Sequence, residues 1–277
     1  MRKILSITAA VGIAFAFEVM PYGAYLDYSS ASLKDKGYIF GVYGNYFFPK
    51  HKIEFDAEHT KIKYKDDTNI DDWKQNDFTI IGHFYQGYNL AYKAGIHNIW
   101  VKQGDDSKYD KVFILGILYY KYLKYNAGID LYYSDYEDNG GFKIIQVSPK
   151  VGFNFGNYYS KIGSFYTEVK YNHIHLNKDN VTPKDNYSNV DMKLQNFQGP
   201  WTTTLNLSFG KSAYKVANDG FVVYTTGDEY KYSAGLSVNY AISKKESIKV
   251  GYTKSKYNNG SSNCYSNVYT LSYSRAF

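Results

Sequence analysis

The sequence predicts an all-β protein, a transmembrane up-and-down antiparallel β-barrel of about 14 strands, with 12 as the alternative. Three observations carry that reading. Apolar and polar residues alternate with a period of two along most of the chain, and helix periodicity is nearly absent. The connections between alternating segments come in two lengths that interleave, as they do when the two ends of a barrel face different compartments. Aromatic residues make up 19% of the 277 residues, with Tyr 33, Phe 17 and Trp 3, yet no apolar run reaches the ~20 residues that a membrane-spanning helix needs. A single Cys excludes a disulfide scaffold and the Cys-rich zinc sites. So high an aromatic content also argues against disorder.

The chain opens with a positive Arg2-Lys3, an apolar stretch from Ile4 to Phe15 and a small-x-small Ala14-Phe15-Ala16. That order of zones predicts a secretory signal peptide over residues 1–16, cut after Ala16. Without Arg2 and Lys3 the net charge falls from +6 to +4, with both signs interspersed, and no nucleic-acid partner is implied. Strands are then expected near 20–30, 37–48, 51–64, 74–87, 89–102, 110–122, 124–135, 143–156, 160–175, 194–209, 212–224, 229–242, 247–257 and 267–277. The clearest is 229–242, where Tyr230, Tyr232, Ala234, Leu236, Val238 and Tyr240 alternate with Lys231, Ser233, Gly235, Ser237 and Asn239. Ile129, Leu131 and Tyr133 alternate with Asp130 and Tyr132 in the same way, and Val147, Pro149 and Val151 with Ser148 and Lys150. One face of such a strand meets a dry medium and the other a wet one. The 212–224 segment is the least regular, because Asn218-Asp219-Gly220 interrupts it.

Short connections are expected at 48–51, 86–89, 122–124, 155–159, 209–211 and 243–246. Longer polar ones are expected at 65–73, 104–110, 136–141, 177–193, 225–228 and 258–266. No linker breaks residues 17–277, which form one barrel domain. Tyr22, Tyr28, Tyr92, Trp100, Tyr125, Tyr133, Tyr230 and Tyr240 fall near strand ends, where aromatic girdles meet the two membrane interfaces. A soluble β-sandwich would need no such girdle.

The last strand adds a resemblance. Tyr269, Leu271 and Tyr273 recur at every second position and the chain ends on Phe277, with Arg275 breaking the pattern where an apolar residue is usual. In this it resembles the Gram-negative outer-membrane β-barrel proteins, and by size the monomeric fourteen-stranded porins. The resemblance implies the cell outer membrane as location, with lipopolysaccharide and other outer-membrane lipids as neighbours. It also implies that the barrel-assembly machinery reads Tyr269, Leu271, Tyr273 and Phe277. The function it implies is a porin-like channel for passive diffusion of small hydrophilic solutes or ions, with no cofactor.

Residues with inward parity would line the lumen. Glu54, Asp56 and Glu58 alternate with Ile53, Phe55 and Ala57, and three carboxylates in line cannot face lipid. Asp27 and Asp130 share that parity, as do Lys93, Lys150, Lys231 and Lys249, with Lys170 beside Glu168. An acidic wall would then face a basic one across the pore. Small inward residues on the later strands (Ser233, Gly235, Ser237, Asn239, Gly251, Thr253) would leave room for a path. The alternatives are a structural or adhesive barrel without an open pore and, less favoured, a barrel enzyme. The best catalytic or metal candidates are His173 and His175, near Asp179 and Glu168, but no nucleophile signature stands beside them. The chain is therefore expected not to be an enzyme and to hold no metal.

Overall fold

The structure, a computed structural model, describes residues 17–277 apart from positions 31, 123, 139, 140, 179 and 180. The expected signal peptide and Asp179 lie outside the described residues. Fourteen antiparallel strands close into one barrel. They are β1 (Phe17–Ser30), β2 (Lys34–Phe47), β3 (His51–Tyr64), β4 (Trp73–Gln86), β5 (Leu90–Gln103), β6 (Asp106–Lys121) and β7 (Tyr125–Tyr136), followed by β8 (Phe142–Gly156), β9 (Ser164–Leu176), β10 (Asn186–Gln198) and β11 (Trp201–Ser212). A two-residue pair, β12 (Val216–Ala217) with β13 (Val222–Val223), stands apart from the wall. The wall then resumes with β14 (Glu229–Ala241), β15 (Glu246–Asn258) and β16 (Asn263–Ala276), and β16 pairs with β1.

Closure follows from physics. In hydrocarbon every backbone N–H and C=O must be bonded within the protein, and only a sheet without edges achieves that for strands. The seam is tied at its base where the Phe277 N–H donates to the Phe17 carbonyl, 2.9 Å. Outward positions carry large apolar side chains left open to the surroundings, among them Leu271 at 59% and Val151 at 58% exposure. No soluble domain leaves such a continuous band uncovered. Tyr269, Leu271, Tyr273 and Phe277 all belong to it.

The strand count agrees with the sequence reading only because two errors cancel. The stretch read as one strand over 194–209 is the end of β10 and most of β11, folded at Gly199-Pro200, where Gln198 pairs with Trp201. The first half of β10 (Ser188, Asn189, Asp191, Lys193) reads as loop because its inward residues face an ion-paired lumen and need not be apolar. The stretch 212–224, read as a strand, is not in the wall. Residues 213–228 turn into the barrel. The expected turn at 209–211 is a bulge within β11: Gly210 adopts φ +102 and the register shifts between Phe209 and Ser212.

Parity also shifts in two places. On β1, Leu26 is buried and the Tyr22 hydroxyl reaches Asp56 and Glu58, so Tyr22 points inward. Tyr28 packs edge-on against Tyr257 beneath the barrel rim. Asp27 is on the opposite parity and accepts from Asn267 Nδ2, 3.0 Å, so it does not line the lumen. On β14 a bulge between Tyr230 and Tyr232 moves Tyr230 against Tyr224 of the inward segment, 4.7 Å between ring centroids.

Candidate functional site: the lumen and its inward loop

The inward segment 213–228 leaves β11, runs down as β12, reverses at Asn218–Gly220 and returns through β13 to β14. The reversal needs three consecutive left-handed residues, Asn218 (φ 47), Asp219 (φ 58) and Gly220 (φ 115). Asn, Asp and Gly are the residue types that tolerate that conformation best. The Tyr224 N–H then donates to the Lys215 carbonyl, 3.0 Å, and ties the hairpin.

At the tip one carboxylate meets three ammonium groups. Asp219 Oδ1 lies 3.4 Å from Lys93 Nζ, 3.2 Å from Lys150 Nζ and 3.1 Å from Lys170 Nζ. The same lysines hold Asp130 of the wall at 3.0, 2.8 and 3.4 Å. Two carboxylates thus share three cations, one acid fixed to the wall and the other carried by the loop. Burial alone would push the Asp219 carboxyl up, but Lys170, Lys93, Lys150 and Lys193 outweigh it and hold the group well below the ordinary carboxylate range. A depressed pKa gives an anchor present above the ordinary carboxylate value and lost only as pH falls through the lowered one. Its side chain still keeps 47% exposure to the lumen, so water screens part of this attraction.

The rest of the hairpin is held on all sides. Gln146 acts as a strand neighbour to Val216: its Oε1 accepts the Val216 N–H and its Nε2 donates to the Val216 carbonyl, each 2.8 Å. Lys215 pairs with Asp191 at 2.6 Å, and Asp228 with Lys34 at 2.5 Å. Thr225 donates to Gln75 Oε1, 3.0 Å. Tyr214 packs edge-on against Tyr136 and Phe142, at 5.2 and 5.1 Å, and Phe221 against Tyr43 at 5.5 Å. Val216 enters an apolar cluster with Ile62, Ile81, Ile99, Val112 and Ile114, which face inward and are dry. The outer part of the lumen is therefore packed rather than open.

Gly220 fits where no other residue does. A Cβ there would lie 2.4 Å from the tip of the buried Ile114, at a φ that costs other residues about 1–3 kcal/mol. Gly220→Val is expected to lift the tip from the wall and speed trypsin cleavage after Lys215 in the folded protein. Equal resistance of variant and wild type would mean that the tip is not held there.

The lumen residues named from the sequence are placed as follows. Glu54, Asp56 and Glu58 project inward, and Asp56 and Glu58 share the Tyr22 hydroxyl. Glu54 bonds Lys52 at 2.7 Å and also meets His83 and Tyr43. Tyr22 donates to Asp56 at 3.0 Å and to Glu58 at 2.8 Å. Lys93, Asp130 and Lys150 form the cluster just described. Lys249 sits between the outward Ile248 and Val250 and faces the lumen below the loop. Lys231 requires correction. It is the extra residue of the β14 bulge, and its ammonium donates to Asn263 Oδ1 at the rim, 2.7 Å, instead of lining the lumen. Acids and lysines do not form two free opposing walls; Glu54 and Asp130 are ion-paired close by. His173 and His175 face outward and bond Ser188 and Asn186, at 3.3 and 3.0 Å.

Asp219, Lys215 and Gln146 were not recognisable as site residues. The one signal was Asn218-Asp219-Gly220, a turn sequence inside an apolar segment.

A closed fourteen-stranded barrel with an apolar outside and an ion-paired inside is the architecture of the outer-membrane β-barrels. The comparisons with solved structures agree. The fold is similar to a CymD monoaromatic hydrocarbon channel, with TM-score 0.62 and 8% identity over 96% of this chain and 90% of the other. It is also similar to the Ralstonia pickettii toluene transporter TbuX (0.60, 8%, 94% and 89%). For the Acinetobacter baumannii outer membrane protein Omp33 the values are 0.52, 11%, 95% and 98%. At such identities the likeness is one of fold. No known family matches the sequence, and no curated protein matches it either.

Proposed function

We propose that the chain is an outer-membrane channel for small hydrophilic solutes or ions, a passive path with no chemical step, narrowed by the loop 213–228. The observation that carries the reading is the chemistry of the lumen. Beside and below the loop it presents carboxylates, ammonium groups, amides and hydroxyls, and stripping water from such groups to admit a hydrocarbon is unfavourable. The wall of β14 and β15 presents Ser237, Gly251 and Thr253 inward, small side chains that favour a polar path on that side of the lumen.

A second reading has one observation in its favour. The cluster of Ile62, Ile81, Ile99, Val112 and Ile114 is an apolar chamber inside the barrel, filled here by Val216, and two of the three similar folds named above are a hydrocarbon channel and a toluene transporter. Swelling of proteoliposomes separates the two readings. Small sugars and amino acids are expected to enter faster than into protein-free vesicles, with rates falling steeply as solute size grows. Uptake of toluene with no acceleration for any polar solute would overturn the proposal in favour of the second reading.

A further inference from the structure

The inward face of the barrel is unevenly charged. In the half of β11, β14, β15 and β16 nearer the short turns, the side chains with inward parity are Ser, Thr, Asn, Gly and Ala, with Lys249 the one charge among the described residues. Asn206, Lys249 and Thr270 stay open to the water of the lumen. On β10, Lys193 lies between the outward Met192 and Leu194 and so projects into the same space. It is near enough to Lys249 for the two charges to act on each other.

Neither ammonium group is neutralised. Among the described residues no carboxylate lies within ion-pair distance of Lys193 or Lys249. Glu168 stands directly across from Lys193, but it accepts the Tyr166 hydroxyl at 2.8 Å and acts on Lys150 and Lys170. The cluster at the loop tip is balanced without Lys193, since Lys93, Lys150 and Lys170 face Asp130, Asp219 and Glu168. Nor do the acids of the opposite wall offset the two lysines where a solute would pass. Asp56 is 4% exposed and Asp77 7%. Gln75 Nε2 closes on Asp77 at 2.8 Å, and Glu58 is covered by the hydroxyls of Tyr22 and Thr60 at 2.8 and 2.9 Å. A solute in lumen water therefore meets Lys193 and Lys249 directly, and these acids through a layer of protein.

We propose that Lys193 and Lys249 form a site for small anions, carboxylates or phosphate, and that anions are the solutes the barrel passes. Two like charges facing one lumen repel, and an anion seated between them relieves the repulsion. Asn206, Ser237 and Asn239 stand on the strands between the two lysines and carry the amides and hydroxyl that complete the hydrogen bonds to such a guest. The inference rests on the channel reading and narrows its solute class.

Planar-bilayer recordings of the intact barrel across a potassium chloride gradient test it, at low salt, where a charge acts over ~10 Å. Wild type is expected to pass chloride over potassium by about threefold or more, a bias set by fixed charges along the path. The double variant Lys193→Gln/Lys249→Gln should keep its heat-modifiable migration and its conductance but lose most of that preference. Lys231→Gln, which removes an ammonium bonded to Asn263 at the rim, should behave as wild type. Acetate and inorganic phosphate, added in turn, distinguish the two anion chemistries. Block of the chloride current by either one, weakened about fivefold or more in the double variant through loss of charge-assisted hydrogen bonds, would support the site. Block by neither would overturn it. Potassium preference in wild type, or an unchanged chloride preference in the double variant, would overturn the inference and leave the channel reading standing. Absence of any conductance in wild type would overturn the channel reading and the inference with it.

Discussion

Replacing residues 214–227 by a short Gly-Ser turn is expected to raise single-channel conductance in a planar bilayer several-fold over wild type. The loop fills the outer part of the lumen with Tyr214, Val216, Phe221 and Tyr224, and a barrel of this size is otherwise wide enough to hold water beyond its own inward side chains. The wall does not need the loop to close. β11 pairs with β14 over ten residue pairs from Trp201 to Ser212, and the excision spares them all. The cost is the lost burial of Val216 and the loop aromatics, about 1.5–3 kcal/mol for each side chain fully buried, which a barrel tied by fourteen ladders tolerates. Asp219→Asn is the milder form of the experiment. It leaves Asp130 to hold the three lysines and should raise the open fraction without changing the full conductance. Because the Asp219 carboxyl lies well below its ordinary range, lowering the pH from 7 to 5 should not imitate that variant. Excision that leaves conductance at the wild-type level would mean that the loop does not occlude the path.

Asp130→Ala is expected to destabilise the barrel more than any other single lumen substitution. Asp130 is nearly inaccessible and accounts for ion pairs to Lys93, Lys150 and Lys170, which are themselves buried to within about a tenth of their surface. Removing it leaves three ammonium groups sharing the partly exposed Asp219. Breaking a buried pair by deleting one partner costs about 3–5 kcal/mol, mostly through the uncompensated charge left behind. Urea unfolding in detergent micelles should show the loss as a lower midpoint. If the double variant Asp130→Ala/Lys150→Gln recovers part of it, the cost is one of unbalanced charge. A midpoint for Asp130→Ala equal to wild type would mean that the cluster is solvated and contributes little.

The alternation of Ile53, Phe55 and Ala57 with Glu54, Asp56 and Glu58 was enough to place the acids inside, because a period of two admits only two faces and one of them meets lipid. The same logic failed on β1 and at Tyr230. Tyr is at home on either face, since its ring suits the membrane interface and its hydroxyl suits a carboxylate inside, and a single bulge reverses every assignment beyond it. β10 was half missed for a related reason: Asn189, Asp191 and Lys193 face an ionic lumen, where hydropathy does not distinguish a strand from a loop.

By itself the sequence determined an all-β barrel, because period-two alternation with an apolar outer face and no long apolar helix leaves strands that must close on themselves. It also determined the short reversals near 48–51, 86–89, 122–124, 155–159 and 243–246, though neither the one at Gly199-Pro200 nor the bulge at 209–211, and the inward direction of Lys93, Asp130 and Lys150. Only the tertiary structure decided that 213–228 leaves the wall, since its apolar residues satisfy a strand pattern and a lumen plug equally well. What breaks the tie is long-range: Asp219 finds Lys93, Lys150 and Lys170, and Val216 finds Gln146 and an apolar chamber built from five other strands. Those partners lie on separate strands, and closure of the barrel is what brings them together.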